Sequence, residues 1–480
     1  MKVLFASAEC APFFKTGGLG DVAGALPKEL SKKGMEMSVV LPYFTKMPDL
    51  YKKQCEDLVE FSVEVGWRHQ YCGIKRLILQ GVTYYFIDNL YYFDRDNLYG
   101  YSDDNERFAF FSLAIIKMLE KIELIPDVIH VNDFHTAMVP FLLKESKQSV
   151  KKYTSIKTIL TIHNIEFQGA YAKEVLSDLF GLEPERFNEN STYFRDGINY
   201  LKTGIVYADR INTVSPTYAE EIKTAEFGFG LDEVLREKQE KLSGIVNGID
   251  YEMNDPETDK LISANFSSTN LIGKKQDKQA LQQRLKLPVK PDIPLIAIVS
   301  RLTNEKGFQL VVDKLNELLQ QDVQLILLGT GENDIEQTLK EFARRYPEKF
   351  SANILFDVSL AQWIYAGADL FLMPSVTEPC GLSQMIAMRY GTLPVVHEIG
   401  GLKDTVRPYK PVAKTGTGFS FTRFNSECFM ETLLEAIEVY EQDQQTWRSL
   451  MKVAMETDFS WEKSGQLYLE LYKLVVYETS

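Results

Sequence analysis

At 480 residues the chain has room for about two or three domains, and with 45% apolar and 25% charged residues it has the composition of a globular protein. Its 67 acidic against 53 basic residues leave a formal charge of −14, which weighs against a nucleic acid or a polyanionic surface as partner. No apolar run approaches the ~20 residues of a membrane span, no leader-type segment opens the chain, and five scattered cysteines lack metal-type spacing; a cytoplasmic protein with reduced thiols and no membrane partner is expected.

In chain order, Lys2–Ser7 is predicted as a buried parallel strand, followed by Lys15-Thr16-Gly17-Gly18-Leu19-Gly20-Asp21-Val22. Val22, Leu26 and Leu30 then recur at helical spacing, and Gly34 closes the helix. Strand, glycine-rich turn and helix N-terminus with an adjacent lysine form a place to hold a phosphate or diphosphate. The spacing is neither G-x-G-x-x-G nor a P-loop, and a plain tight turn is the competing reading. Strands are predicted over Glu36–Leu41 and Thr83–Ile87. Asp94-Arg95-Asp96 has the short D-x-D pattern of some metal-dependent transferases, but it follows Tyr91-Tyr92-Phe93 in a loop and is read as loop charges, with Tyr101, Asp104 and Asn105 as candidate acceptor contacts.

The next predicted strands, Val128–Val131 and Thr158–Ile162, each run into a histidine motif: His130-Val131-Asn132-Asp133-Phe134-His135 and His163-Asn164-Ile165-Glu166-Phe167-Gln168-Gly169. Such groups suit metal binding, acid–base work or hydroxyl recognition. His130 reads as a structural histidine, and His163 as a site residue. After Arg210–Val214, residues 244–258 read as a loop, and residues 263–292, rich in lysine and glutamine, as a linker with a surface helix.

A second α/β series starts at Leu295–Val299 and continues through Gln324–Leu328, Ile354–Phe356, Leu370–Met373 and Leu393–Val396. Two such series suggest a small-molecule cleft between domains. Ser300–Gly307 places Arg301 and Lys306 on one strand-to-helix loop, where both can converge on an anion; a solvated basic loop is the bland alternative. Glu378-Pro379-Cys380-Gly381-Leu382-Ser383 sets a carboxylate suited to sugar hydroxyls before a helix. Cys380 lacks a histidine partner in sequence, so a thiol nucleophile is disfavoured. Gly400–Thr405 adds a further glycine turn, and a last helix spans about Trp461–Val476.

Taken in order, Lys15–Val22, His130–His135, His163–Gly169, Val214–Ala219, Val246–Asp250, Ser300–Gly307, Glu378–Leu382 and Gly400–Thr405 closely resemble the landmarks of bacterial glycogen synthases, relatives of plant starch synthases. The resemblance implies an α/β GT-B fold: an N-terminal Rossmann-like domain over residues 1–245, a C-terminal nucleotide-sugar domain over 246–460, and a final helix, 461–480, returning to the first. It implies a retaining hexosyltransferase that moves glucose from ADP-glucose to the 4-hydroxyl at a non-reducing end of glycogen or another α-1,4-glucan, with no metal and no organic cofactor. By position, Lys15, Gly17, Gly18, Arg301 and Lys306 would hold the diphosphate. Asp21, His163, Asn247 and Glu378 would surround the donor glucose, Asp133 would lie near the reacting centre, and Cys380, Gly381, Leu382 and Thr405 would add donor contacts.

Several positions depart from the family pattern. Asn132 stands where many relatives have histidine, and Phe134 and Phe167 where an aromatic with a polar group is common. Val376-Thr377 replaces an Arg-Phe pair, and Ile386 replaces a second glutamate, so a ribose contact must come from elsewhere. A UDP-glucose transferase, a dinucleotide-dependent dehydrogenase and a glucan-binding protein without chemistry remain the competing readings.

Overall fold

The structure, a computed structural model, describes residues 1–147, 150–182 and 192–477. The chain divides into two compact units, Met1–Asn247 with the segment from Trp461 onward, and Gly248–Ser460.

The first unit carries strands β1 (Lys2–Ala6), β2 (Glu36–Pro42), β3 (Glu56–Val65), β4 (Arg68–Leu79), β5 (Val82–Asp88), β6 (Val128–Asn132) and β7 (Lys157–Ile162). Three short strands follow, β8 (Ala170–Ala172), β9 (Tyr193–Phe194) and β10 (Gly197–Asn199), and then β11 (Arg210–Thr213) and β12 (Leu242–Gly244). Nine of these form one sheet in the order β12-β11-β7-β6-β1-β2-β5-β4-β3, parallel from β12 to β5; β8-β10-β9 form a small separate sheet. Parallel strands are covered on both faces, which is why β1 and β6 are continuous apolar runs with Leu4, Phe5, Ile129 and Val131 fully buried. The β3–β4 hairpin is antiparallel and was not anticipated. It lies at the sheet edge, where Val63, Val65, Cys72 and Ile74 are buried against the core and the exposed Glu56, Asp57, Glu60 and Glu64 along β3 oppose edge-to-edge pairing.

The last helix, Trp461–Tyr477, packs within this unit. Fully buried Tyr472 places its hydroxyl 2.6 Å from His130 Nδ1, while His130 Nε2 lies 2.7 Å from Thr161 Oγ1. Asn212 Nδ2 donates to the Tyr468 hydroxyl at 3.1 Å. His130 is therefore a satisfied structural histidine, as its sequence context suggested.

The second unit contains β13 (Leu295–Val299), β14 (Gln324–Leu328), β15 (Phe350–Asn353), β16 (Leu370–Met373), β17 (Leu393–His397) and β18 (Phe419–Phe421), all parallel in the order β15-β14-β13-β16-β17-β18. Two sequence expectations need correction here. The strand expected at Ile354–Phe356 is Phe350–Asn353, whose register pairs Leu325 with Phe350 and Leu328 with Asn353; Phe356 lies beyond its end, 86% exposed. Residues 263–292 are not a linker, because their helix, Ile272–Arg284, is part of the second unit. Its polar residues are buried with partners: Lys278 Nζ donates to Asp369 Oδ2 at 2.6 Å, to two backbone carbonyls and to Tyr440, and Lys274 Nζ donates to Ala366 O and Thr392 Oγ1, each at 2.9 Å. Among the described residues, no helix is long and apolar enough to cross a membrane.

Candidate active site

In each unit the strand order reverses beside the first strand, and open parallel sheets bind ligands at the carboxyl edge near that point. In the first unit that edge carries the turn after β1, Asp133 after β6, His163 after β7 and Asn247 after β12. The helix Gly18–Lys32 begins directly after the glycines. A Cβ on Gly17 or Gly18 would meet nothing within 4 Å, so internal packing does not demand glycine there, and the open space suits a close ligand. Lys15 and Asp21 form a half-exposed ion pair at 2.6 Å.

One resident of this turn gave no signal in the sequence. The Glu9 carboxylate accepts from the Thr16 N–H, from Thr16 Oγ1 at 3.1 Å and from the Gly17 N–H at 3.4 Å. Burial raises its pKa, opposed by these hydrogen bonds. The first amides of the expected phosphate cradle thus already hold an internal anion, which shapes the turn that presents Lys15.

Asp133 is buried and sits at φ +53°, a left-handed conformation uncommon for a non-glycine residue. Its Oδ1 accepts the His163 N–H at 2.7 Å. Desolvation raises its pKa to about 7, against the lowering effect of the His163 and Asn164 amides. Desolvation likewise lowers His163 to about 3, so the ring is neutral at pH 7, and its Nε2 lies 2.8 Å from Asn132 Oδ1. His135 is also held neutral, near 3, its ring tilted against that of Phe134 at 3.9 Å between centroids. Asn247 is buried, and among the described residues its Oδ1 has no hydrogen-bond partner.

In the second unit, the loops after β13, β16 and β17 are knitted together. The Val376 N–H donates to Glu305 O at 2.9 Å, and the Gly401 N–H to Glu378 O at 3.0 Å. Gly307, at φ +76°, lies so close to Pro374 O that a Cβ would approach it to 1.8 Å, and Gly400, at φ +44°, is pressed on Glu378 O in the same way. These contacts bring Lys306 Nζ to 3.0 Å from Glu378 Oε2 and 3.6 Å from Glu305, while Arg301 pairs with Glu305 at 3.3 Å. Ser375 Oγ also reaches Glu378 Oε2, at 3.3 Å. Burial works against the Lys306 charge, but Glu378 and Glu305 outweigh it and its pKa is raised. Gln384 ties Cys380 O, Gly381 O and Thr405 Oγ1 together, each at 3.0 Å, and Leu382 leads into the helix Ser383–Arg389.

The structure thus brings together Lys15 with Asp21, Asp133 with His163, and Arg301, Lys306 and Glu378 with the loops of Cys380, Gly381 and Thr405. Asp104 is engaged otherwise, accepting from Arg107 at 2.5 Å and from the Gly100 N–H at 2.8 Å, which leaves it a loop-organising role. Asp94 accepts from Thr45 and Arg95 pairs with Asp103, so these behave as loop charges. Ile386 packs against the second unit's core. Sequence reasoning did not single out Glu9, and it placed Phe356 in a strand, whereas its ring is exposed beyond the carboxyl end of β15.

Residues 2–237 match the starch synthase catalytic domain family, and residues 279–449 match the glycosyl transferases group 1 family. A glycogen synthase of Ligilactobacillus salivarius (strain UCC118) is 57% identical over 477 residues, covering 99% of this chain and 100% of that protein. The chain belongs to the glycogen synthase family. A glycogen synthase of Lactococcus lactis subsp. lactis (strain IL1403) is 57% identical as well, over 98% of this chain and 100% of its own length. Among solved structures, the catalytic domain of starch synthase IV from Arabidopsis thaliana, bound to ADP and acarbose, superposes with a TM-score of 0.91 at 32% identity over 99% of both chains. A sucrose-phosphate synthase from Thermosynechococcus elongatus, 16% identical with a TM-score of 0.61 over 98% of both chains, shares the fold. As a glycogen synthase family member the chain is a hexosyltransferase, and its parallel α/β units are those of the GT-B class expected from the sequence.

Proposed function

We propose that the enzyme transfers glucose from ADP-glucose to the 4-hydroxyl at the non-reducing end of an α-1,4-glucan, retaining anomeric configuration, in the cytoplasm. The observation that carries the reading is the buried Lys306–Glu378 pair at the carboxyl edge of the second sheet. Cleaving the sugar–phosphate bond develops charge on the departing ADP, and a fixed ammonium beside it stabilises that charge. The raised pKa of Lys306 keeps it cationic for this task. Arg301 supplies a second cation, and Glu378 accepts from hydroxyls of the sugar.

From the first unit, Lys15 and the open face of Gly17 and Gly18 bind the diphosphate. An incoming diphosphate competes with Asp21 for Lys15, which releases the Asp21 carboxylate toward the sugar. His163 and Asn247 contact the sugar, and Asp133 lies at the reacting centre. Cys380, Gly381, Leu382 and Thr405 shape the donor loop, and Phe356 offers a face on which the base can stack. The buried carboxylates of these loops, Glu9, Asp133 and Glu378, are each engaged as acceptors. This favours a same-face displacement in which the leaving phosphate takes the acceptor's proton over attack by an enzyme carboxylate.

The test is nucleotide release with glycogen as acceptor, comparing ADP-glucose with UDP-glucose, with and without EDTA. ADP release that is insensitive to EDTA and accompanied by longer α-1,4 chains is expected. Turnover with UDP-glucose alone would overturn the donor assignment, and release from neither would overturn the activity.

A further inference from the structure

Asn132 ends β6, fully buried, with its backbone pinned on both sides by Thr136: its N–H donates to Thr136 Oγ1 at 2.7 Å, and that hydroxyl donates to Asn132 O at 2.9 Å. Its side-chain amide has two ends with different partners. Nδ2 lies 3.0 Å from the carbonyl oxygen of Ala6 in β1, and Oδ1 lies 2.8 Å from His163 Nε2. A carbonyl oxygen only accepts, so the nitrogen end must face Ala6, and the amide orientation is fixed by the sheet itself. The oxygen end can only accept as well, so the His163 ring must donate to it from Nε2. A neutral imidazole carries one N–H, which leaves Nδ1 as an acceptor. Among the described residues nothing donates to that Nδ1, and the ring is only partly covered.

We infer that Asn132 is a positioning residue that fixes His163 as the Nε2–H tautomer and so presents Nδ1 as the acceptor for a hydroxyl of the transferred sugar. The inference rests on the proposed place of His163 at the donor sugar. It gives the asparagine a chemical reason: one amide donates to a strand carbonyl and accepts from an imidazole at once. A sugar hydroxyl that donates to Nδ1 keeps its own lone pairs for other donors, so its orientation is set as well as its position.

The full chain labelled with ¹⁵N-histidine tests this directly, because it has 5 histidines and the His163 signals are assigned by their loss in His163→Gln. A protonated, pyrrole-type Nε2 and an unprotonated, pyridine-type Nδ1 are expected at pH 7. The Nδ1–H tautomer, or a charged ring, would overturn the inference without any variant of Asn132. In Asn132→Leu the ring should sample both tautomers, with kcat falling about tenfold, the value of one misdirected hydrogen bond, and the KM for glucan unchanged. If His163→Gln lowers kcat while Asn132→Leu folds and turns over at the parental rate, the positioning role is wrong and the donor-site reading stands. If His163→Gln itself turns over at the parental rate, the donor-site reading fails and takes the positioning role with it.

Discussion

Replacing Lys306 by alanine separates two effects that the structure makes distinct. The ammonium is 3.0 Å from Glu378, and the two side chains are 14% and 10% exposed. Removing a fixed charge-stabilising donor from an active site costs about 2–4 kcal/mol of transition-state stabilisation. That corresponds to roughly 30- to 900-fold in kcat/KM for the donor. The folded state is affected separately, because among the described residues Glu378 is left with the Ser375 hydroxyl at 3.3 Å as its side-chain partner. An under-satisfied buried group costs about 1–3 kcal/mol, so thermal unfolding should also come earlier. Adding Glu378→Gln to Lys306→Ala removes the stranded charge, and should restore much of the stability and none of the activity. Initial rates with the nucleotide sugar, together with melting curves for both single variants and the double variant, read the two effects independently. A Lys306→Ala enzyme whose kcat/KM stays within about threefold of the parent, below the weakest donor effect considered, would refute the assignment of Lys306 to the leaving group.

Three other outcomes follow from the geometry. Glu9→Ala removes the acceptor that holds the Thr16 and Gly17 amides and so loosens the turn that presents Lys15; the KM for the donor should rise about tenfold, the value of one charge-assisted bond that shapes the turn, with Glu9→Gln milder and the KM for glucan unchanged. Cys380→Ser should keep substantial activity in the nucleotide-release assay, and complete loss in a folded protein would make the thiol a reactant. Burial lowers the folded pKa of Lys274 to about 7 from 10.5, with Asp369 and Asp277 opposing the fall and Lys278 adding to it. The unfolded chain therefore binds the extra proton between about pH 7 and 10.5, and this residue's contribution makes stability rise with pH across that window. Denaturant titrations of Lys274→Met should show that rise flattened relative to the parent.

What the sequence made legible follows from which residues act locally. The glycine turn, its helix and the parallel strands are written in contiguous residues, and most predicted strands fall within a residue or two of those observed. Glu9 was not legible because a lone acid in Ser7-Ala8-Glu9-Cys10 carries no spacing signal; its meaning lies in amides seven and eight residues on. The helix Ile272–Arg284 misled because its lysines and glutamines look solvent-facing, while Lys274, Lys278 and Gln282 find carbonyl, carboxylate and amide partners far along the chain. Ile354–Phe356 is apolar and strand-like in isolation. Only the pairing of β14 with β15 ends the strand at Asn353 and leaves Phe356 exposed beyond it.

The return of the last helix sets an order on how the protein is made. The second unit is continuous in sequence, whereas the first is split, with Tyr468 and Tyr472 completing the hydrogen bonds of Asn212 and His130. On a ribosome adding ~5–20 residues per second, roughly 225 residues separate the end of the first segment from Tyr472, a wait of about 10–45 s. Through that interval His130 and Asn212 of the nascent first unit keep their partners Thr161 and Ser243 but lack the two tyrosines, and the later-made unit can close before the earlier one.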